Sequence, residues 1–150
     1  MPAKRVLFVC IGNACRSQMA EGFARTYGSD IVIAASAGLA PAMGIPRDTK
    51  SVMAEKNIDL RDHFPKSIRH LGRAQFDLVV NMSGSEIPPD LASRSKVVDW
   101  DVDDPVFMKY EGHCEVRDRI ERLVMQLILD LREENKTQRL RGQGSGRLDL

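Results

Sequence analysis

The sequence has no strong charge imbalance and no long hydrophobic run. Its 22 basic and 21 acidic residues leave a net charge of +1, so the balance gives no sign of a nucleic-acid or acidic partner. No window approaches the ~18 apolar residues of a membrane span. The N-terminus also lacks the basic-then-apolar layout of a secretory signal. We therefore expect a cytoplasmic protein that binds neither nucleic acid nor a membrane.

Cysteine is scarce as well. The chain has three cysteines, an odd set that argues against a structural disulfide framework in a reducing compartment. With 150 residues, the chain is long enough to bury a hydrophobic core as one domain without such staples. The cysteines are therefore interpreted as chemically reactive residues or as packing residues.

The segment after the apolar run at residues 6–9 carries the strongest functional signal. It reads Cys10-Ile11-Gly12-Asn13-Ala14-Cys15-Arg16-Ser17, and residues 17–27 have the apolar spacing of a helix. The loop thus lies where a strand passes into a helix N-terminus. Unpaired backbone N–H groups and the positive end of the helix dipole favour an oxyanion there. The same field favours thiolate over thiol, which makes Cys10 a candidate nucleophile.

The other loop residues have separable expected roles. Arg16 can donate two N–H bonds to two oxygens of the anion, a geometry that lysine cannot match. Ser17 is expected to donate its hydroxyl to the Cys10 sulfur, and Asn13 to hold the loop in shape. The predicted binding set is completed by the remaining residues of the loop, which contribute backbone N–H groups: Ile11, Gly12, Ala14 and Cys15.

Strands alternate with helices along the chain. The apolar patterns predict four strands, at residues 5–9, 31–35, 76–82 and 96–99. Helices are predicted at residues 17–27 and 47–56, the second ending at Asn57 in a left-handed conformation. Residues 59–74 are predicted to be loop and short helix. A long last helix follows from an apolar stripe: Val116, Ile120, Leu123, Val124, Leu127, Ile128 and Leu131. Residues 1–135 are predicted to form the domain and residues 136–150 a basic flexible tail.

This alternation predicts an α/β sandwich whose ligands bind beyond the carboxyl ends of the strands. The Cys10 loop, a turn at Ser83 and the loop of Asp104 should converge there. Asp104 is the candidate proton donor, because Pro105 fixes the chain beyond it. Asp101 and Asp103 are its rivals, and we expect them to be turn or solvated carboxylates.

These residues allow displacement at phosphorus. Attack by Cys10 would give a cysteinyl-phosphate, while Asp104 protonates the leaving oxygen and then activates water. A positioned acid of this kind contributes about 10²–10⁴-fold in rate.

The motif Cys10-x5-Arg16-Ser17 after a strand, with Ser36-Ala37-Gly38 and a late Asp104-Pro105, resembles the low-molecular-weight protein tyrosine phosphatase superfamily. That superfamily includes the thioredoxin-coupled arsenate reductases, and the likeness covers residues 4–135. It implies a three-layer α/β sandwich, a four-stranded parallel sheet of order 2-1-3-4 with helices on both faces, and catalysis without a metal or other cofactor. It also implies that Cys15 can trap oxidised Cys10 in a reversible disulfide. A plain packing role for Cys15 stays equally open.

Two observations bear on whether the chain resembles the phosphatase branch or the arsenate reductase branch of this superfamily. The string Gln-Met-Ala-Glu-Gly at residues 18–22 resembles the arsenate reductases. Those reductases, however, use two further cysteines just after the third strand, and residues 81–90 contain none. Cys114, the thiol outside the loop, is interpreted as a packing residue.

We therefore predict a cysteine-dependent phosphatase that hydrolyses phosphate monoesters, with Phe107 as the residue able to stack on a substrate ring. Its expected partners are a phosphorylated small molecule or phosphoprotein and phosphate-like oxyanions, and it is expected to be a monomer or weak dimer. The alternatives are an arsenate reductase and a non-catalytic oxyanion binder.

Several charged or titratable residues have simpler interpretations, because they lie in polar surroundings or on the polar face of a helix. We expect Glu21 to be a surface or capping charge, and we expect all of these to be solvated: His63, His70, His113, Arg117, Arg119 and Arg122.

Overall fold

Four parallel strands form a single sheet in the computed structural model, which describes residues 3–148. The strands are β1 (Lys4–Cys10), β2 (Val32–Gly38), β3 (Leu78–Asn81) and β4 (Lys96–Asp99). Their order is β2-β1-β3-β4 and every neighbouring pair is parallel. The predicted order 2-1-3-4 is confirmed.

Helices cover both faces of the sheet, unequally. The elements are α1 (Arg16–Tyr27), α2 (Arg47–Ala54), a short 3₁₀ helix (Ile68–Leu71), α3 (Pro89–Ser93) and α4 (Tyr110–Leu148). Helices α1, α2 and α4 pack together over one face. Helix α3 and the 3₁₀ helix cover the other face. The predicted three-layer α/β sandwich is therefore confirmed.

The centre of the core is β1, whose side chains alternate between the two faces. Val6 and Phe8 point to the layer of α1 and α4, and Leu7 and Val9 to the opposite layer. All four are fully buried, as expected of a strand covered on both sides. Burial of each such side chain contributes about 1.5–3 kcal/mol. This rigid strand delivers Cys10 to the carboxyl edge of the sheet.

The second strand is longer than predicted. Residues 36–38, which the sequence places in a loop, continue β2, and Gly38 pairs in register with Cys10. Serine, alanine and glycine have weak strand preference, so composition alone does not reveal this extension. The strand persists because these small residues are buried directly against β1 and the loop that follows it.

Other boundaries also differ from the prediction. Strand β3 covers residues 78–81 rather than 76–82, and α2 ends at Ala54 rather than at residue 56. Helix α3 was not predicted; Pro89 occupies its first turn, where proline is tolerated. Residues 59–74 are loop with one short helix and Asn57 has a φ of 61°, both as predicted.

Helix α4 extends beyond the core. Between residues 110 and 142, Leu131 is the last buried residue, but the helical backbone continues to Leu148, so residues 136–148 are helical where the sequence predicts a flexible tail. Once a packed helix is nucleated, propagation through lysine, arginine and glutamine is inexpensive. The domain boundary at residue 135 stays a prediction, and residues 149–150 lie outside the described range. Between residues 3 and 148, no helix has the length and apolarity needed to cross a membrane.

Candidate active site

The loop at residues 11–15 joins β1 to α1 and is held from one side by backbone hydrogen bonds. The carbonyls of Cys10, Ile11 and Gly12 accept from the backbone N–H groups of Leu39 (3.1 Å), Ala40 (2.8 Å) and Ala42 (2.9 Å), respectively. In a trans peptide, the N–H group points opposite to the preceding carbonyl. The N–H groups of residues 11–13 are therefore turned away from the segment 39–42. This leaves them available to an anion.

Asn13 fixes the loop from within. Its φ of 51° lies in the left-handed region, which asparagine tolerates better than most residues. Its Nδ2 donates to Ser17 Oγ at 2.7 Å. Its Oδ1 accepts from Lys66 N at 2.9 Å and from Gln18 Nε2 at 3.1 Å. Asn13 therefore holds the loop in shape, as the sequence predicts.

Cys10 and Ser17 are in direct contact. The Cys10 Sγ lies 2.9 Å from Ser17 Oγ, and both residues are buried. Because Ser17 Oγ already accepts from Asn13, its own hydrogen is free to donate to the sulfur. Such a bond stabilises a thiolate, both when it attacks and when it is expelled.

Arg16 connects three segments of the chain. Its buried guanidinium donates through Nη1 to the carbonyls of Met82 (2.5 Å) and Val102 (3.1 Å). Its Nη2 lies 3.4 Å from Asp104 Oδ2. With Nη1 occupied by carbonyls, the two-point grip on an anion falls to Nε and Nη2. An incoming anion would compete with Asp104 for Nη2.

Asp104 faces the loop across a cavity of about 190 Å³. Its Oδ1 accepts from Val106 N at 3.1 Å, which shapes the turn after Pro105. Its rivals, Asp101 and Asp103, are both exposed and do not line this cavity. The cavity is lined by residues of three segments: Cys10, Ile11, Gly12, Ala14, Cys15, Arg16, Ala42, Asp104 and Val106.

Three of the predicted binding residues do not line this cavity. Asn13 and Ser17 are fully buried, and Ser17 contacts the Cys10 sulfur. Phe107 is almost completely exposed, whereas its neighbour Val106 lines the cavity. The stacking of Phe107 on a substrate ring stays a prediction.

The two other thiols differ from Cys10 in setting. Cys15 lines the cavity and accepts a hydrogen bond from Thr49 Oγ1 at 3.2 Å, and burial raises its pKa to about 11. Cys114 is half-buried on α4, beside the core, and partial burial raises its pKa. At neutral pH both groups are thiols rather than thiolates.

Behind the loop lies a buried polar network that the sequence reasoning missed. Glu21 is buried; it accepts from Ser36 Oγ at 2.6 Å and pairs with Arg25 Nε at 3.1 Å. His63 Nδ1 lies 3.0 Å from Gln18 Oε1 and 3.8 Å from the Glu21 carboxylate. The predictions that Glu21 is a surface or capping charge and that His63 is solvated were wrong.

Desolvation governs this network. Burial lowers the pKa of His63 and that of Lys66, whose Nζ lies 4.0 Å from Glu21. A signal was available in the sequence. Glu21 follows Ser17 by four residues, so both lie on the same face of α1, the face turned towards the loop.

A second cluster anchors the start of α4 to α2. Tyr110 donates its hydroxyl to Glu55, which raises the tyrosine pKa to about 12. Arg117 Nη1 donates to Glu55 Oε2 at 2.6 Å and to Val52 O at 3.0 Å. Arg117 and His113 are buried, so the prediction of solvated side chains was wrong for both.

The geometry of the loop, with its buried thiol, suits nucleophilic displacement at a tetrahedral oxyanion.

The comparisons with known proteins agree with this geometry. A family profile described as "Low molecular weight phosphotyrosine protein phosphatase" matches residues 5–137. The "Glutaredoxin arsenate reductase" of Synechocystis sp. is 33% identical over 132 residues, which cover 83% of this chain and 98% of the relative.

Solved structures of two kinds superimpose well. "An arsenate reductase in the phosphate binding state" has a TM-score of 0.78 and 32% identity, over 85% of this chain and 98% of that one. The low molecular weight protein tyrosine phosphatase from T. tengcongensis has a TM-score of 0.74 and 31% identity, over 85% and 99%. The chain belongs to the low molecular weight phosphotyrosine protein phosphatase family, whose members similar to it carry the names of both reductases and phosphatases.

Proposed function

We propose that the chain is a cysteine-dependent phosphatase that hydrolyses phosphate monoesters. The observation that carries the proposal is the placement of Cys10 and Asp104 on one cavity, with Arg16 between them. A nucleophile and a proton donor on opposite sides of a bound phosphate are what ester hydrolysis requires. A receptor that only bound oxyanions would have no use for the carboxyl group.

In the first step, the Cys10 sulfur forms a bond to phosphorus and the ester P–O bond breaks. Arg16 and the N–H groups of residues 11–15 hold the three equatorial oxygens. The phosphate takes the Nη2 position that Asp104 occupies in the structure. Asp104, freed from the guanidinium, takes up a proton from solvent as the substrate binds and gives it to the leaving oxygen.

In the second step, water attacks phosphorus and the S–P bond breaks. The Asp104 carboxylate accepts the proton of the water, inorganic phosphate leaves, and the Cys10 thiolate is regenerated. Ser17 stabilises that thiolate through the contact of 2.9 Å.

The names of the relatives favour a second candidate, arsenate reduction. There Cys10 would form a bond to arsenic while an As–O bond breaks and a hydroxyl group leaves as water, and a second thiol would then attack the Cys10 sulfur. A disulfide forms, the S–As bond breaks, and its electron pair reduces arsenic to arsenite. Residues 81–90 supply no such thiol. The attacking thiol would have to be Cys15, Cys114 or an external one, followed by reduction of the disulfide.

We propose a phosphorylated small molecule or a phosphoprotein as substrate, and the cytoplasm as the compartment. A cytoplasmic setting is supported by the need of Cys10 for reducing conditions. We propose a monomer or weak dimer.

One side-by-side assay separates the candidates. We expect the purified protein to hydrolyse p-nitrophenyl phosphate, to be inhibited by vanadate, and to lose activity in Cys10→Ser. The same preparations receive arsenate with NADPH and either a thioredoxin or a glutathione–glutaredoxin system, and Cys114→Ser tests the relay. NADPH consumption above the blank without ester hydrolysis would contradict the phosphatase proposal. Phosphate binding by calorimetry without turnover would contradict both.

A further inference from the structure

The segment that carries Asp104 has little structure of its own. Residues 100–109, between β4 and α4, form neither strand nor helix. The segment starts from a fixed point, because Trp100 N donates to Asn81 O at 2.9 Å. Beyond that point, the side chain of Val102 is buried in the core, and Asp104 Oδ1 accepts from Val106 N. The backbone carbonyls of Asp101 and Val102 are held by contacts made from outside the segment.

Two arginines from different helices make those contacts. Arg16, at the start of α1, donates to the carbonyl of Val102 at 3.1 Å. Arg119, in the third turn of α4, donates through Nε (3.1 Å) and Nη2 (2.9 Å) to the carbonyl of Asp101. Adjacent carbonyls are thus held by separate guanidinium groups. The Arg119 fork is a two-point contact that a single ammonium group cannot reproduce.

The part of α4 that carries Arg119 is firmly packed. Its neighbours Val116 and Ile120 are buried in the core, α4 packs against α1 and α2, and the cluster around Glu55 fixes its first turns. Arg119 itself is exposed, so its contact with Asp101 contributes little to the core. Its structural consequence is to tie the acid segment to the body of the domain.

We propose that Arg119 is a positioning residue for the general acid Asp104. The proposal rests on the proposed phosphatase function. Asp104 follows the carbonyl held by Arg119 by three residues, so release of that carbonyl lets the carboxyl group move relative to the leaving oxygen. Proton transfer is sensitive to such displacements, since a misplacement of about 1 Å can reduce a rate about 10²-fold.

This role has a kinetic signature that a purely structural role lacks. When the P–O bond breaks, a strongly basic leaving oxygen needs the Asp104 proton, whereas a weakly basic one departs as the anion. Displacement of the acid should therefore lower the rate of hydrolysis of phenyl phosphate and leave that of 2,4-dinitrophenyl phosphate nearly unchanged. General loss of structure would slow both substrates equally.

The test compares kcat/KM for these two esters, because this ratio reports the steps through transfer to Cys10. We expect Arg119→Met to lower kcat/KM about tenfold for phenyl phosphate, an intermediate part of the full acid contribution, and less than twofold for the dinitrophenyl ester. Arg119→Lys should recover part of the loss. Arg122→Met, an exposed arginine on the same helix, is the matched control and should match wild type on both esters.

Asp104→Asn separates this proposal from the function beneath it. It should show the same leaving-group pattern as Arg119→Met, with a larger loss. If Asp104→Asn shows the pattern and Arg119→Met lowers both esters equally or neither, the role of Arg119 is overturned while the phosphatase mechanism stands. If Asp104→Asn lowers kcat/KM equally for both esters, Asp104 is not the general acid, and the role of Arg119 falls with it. The phosphatase function itself falls only if wild type hydrolyses neither ester better than Cys10→Ser. Thermal melting of each variant identifies any loss of folding.

Discussion

Gly38 allows a test of whether activity requires the observed geometry of the Cys10 loop. It ends β2 beneath the loop, and a Cβ added there would lie 2.7 Å from Ile11 O and 2.9 Å from Asn13 N. Both of these atoms belong to the loop backbone, so no side chain can rotate away to relieve the contact. Gly38→Ala therefore forces the loop and β2 apart.

The size of the effect follows from the distances. Ordinary van der Waals contact begins near 3.4 Å, so the loop must move by about 0.7 Å to relieve the closest contact. Displacements of about 1 Å at a reacting centre can reduce a rate about 10²-fold, and we expect kcat/KM to fall ten- to a hundredfold. Overpacking of this kind lowers the free energy of unfolding by about 1–3 kcal/mol, a few degrees in Tm for a domain of this size.

The assay is hydrolysis of p-nitrophenyl phosphate, with phosphate affinity measured by calorimetry and Tm by differential scanning. Gly44→Ala is the matched control, because a Cβ at this nearby glycine meets nothing within 4 Å. It should behave as wild type. If Gly38→Ala keeps wild-type kcat/KM and phosphate affinity within about twofold, the loop does not need its observed geometry and the reasoning fails.

Two further predictions concern titration. With a pKa of about 11, Cys15 is about 0.1% thiolate at pH 8. In Cys10→Ser, iodoacetamide at this pH should therefore modify half-exposed Cys114 first, as followed by mass spectrometry; equal rates would contradict the burial of Cys15. Burial also lowers the pKa of His63 below its usual value near 6.5, so the unfolded chain takes up the proton first as the pH falls. The free energy of unfolding should fall as the pH is lowered from about 6.5 to the folded-state pKa. In His63→Gln, urea titrations at the same pH values should show a smaller fall. The control is His70→Gln, a change at an exposed histidine. If the free energy of unfolding of His63→Gln depends on pH as it does in wild type, His63 is not the source of the pH dependence.

The parts of the molecule that local sequence determines are the ones that the sequence predicts well. The passage from a buried strand through the Cys10 loop into α1 follows from contiguous residues, and so does the parallel sheet. The pairing of Arg16 with Asp104 is between residues far apart in the chain, yet the rule that strand ends converge was enough to anticipate their proximity.

The buried network around Glu21 could not be anticipated in this way. A helix on the surface of a domain buries one stripe, and on that basis Glu21 reads as solvated. The first nine residues of α1, 16–24, are instead buried on all sides, because the sheet, α4 and the segment containing His63 and Lys66 surround this helix. Its polar residues are consequently paired with one another. The spacing from Ser17 places Glu21 on the face towards the loop, but the enclosure of the remaining faces of α1 is visible only in the tertiary arrangement.

The backbone hydrogen bonds between residues 10–12 and the segment 39–42 have a consequence for the kinetics of ligand entry. They order the loop before any ligand arrives, so the conformational entropy of the loop is lost on folding rather than on binding. An oxyanion then needs to shed water and compete with Asp104 for Arg16, without waiting for a lid to close. Phosphate or vanadate should accordingly associate in a single phase whose observed rate rises linearly with concentration, with no plateau from a slow rearrangement.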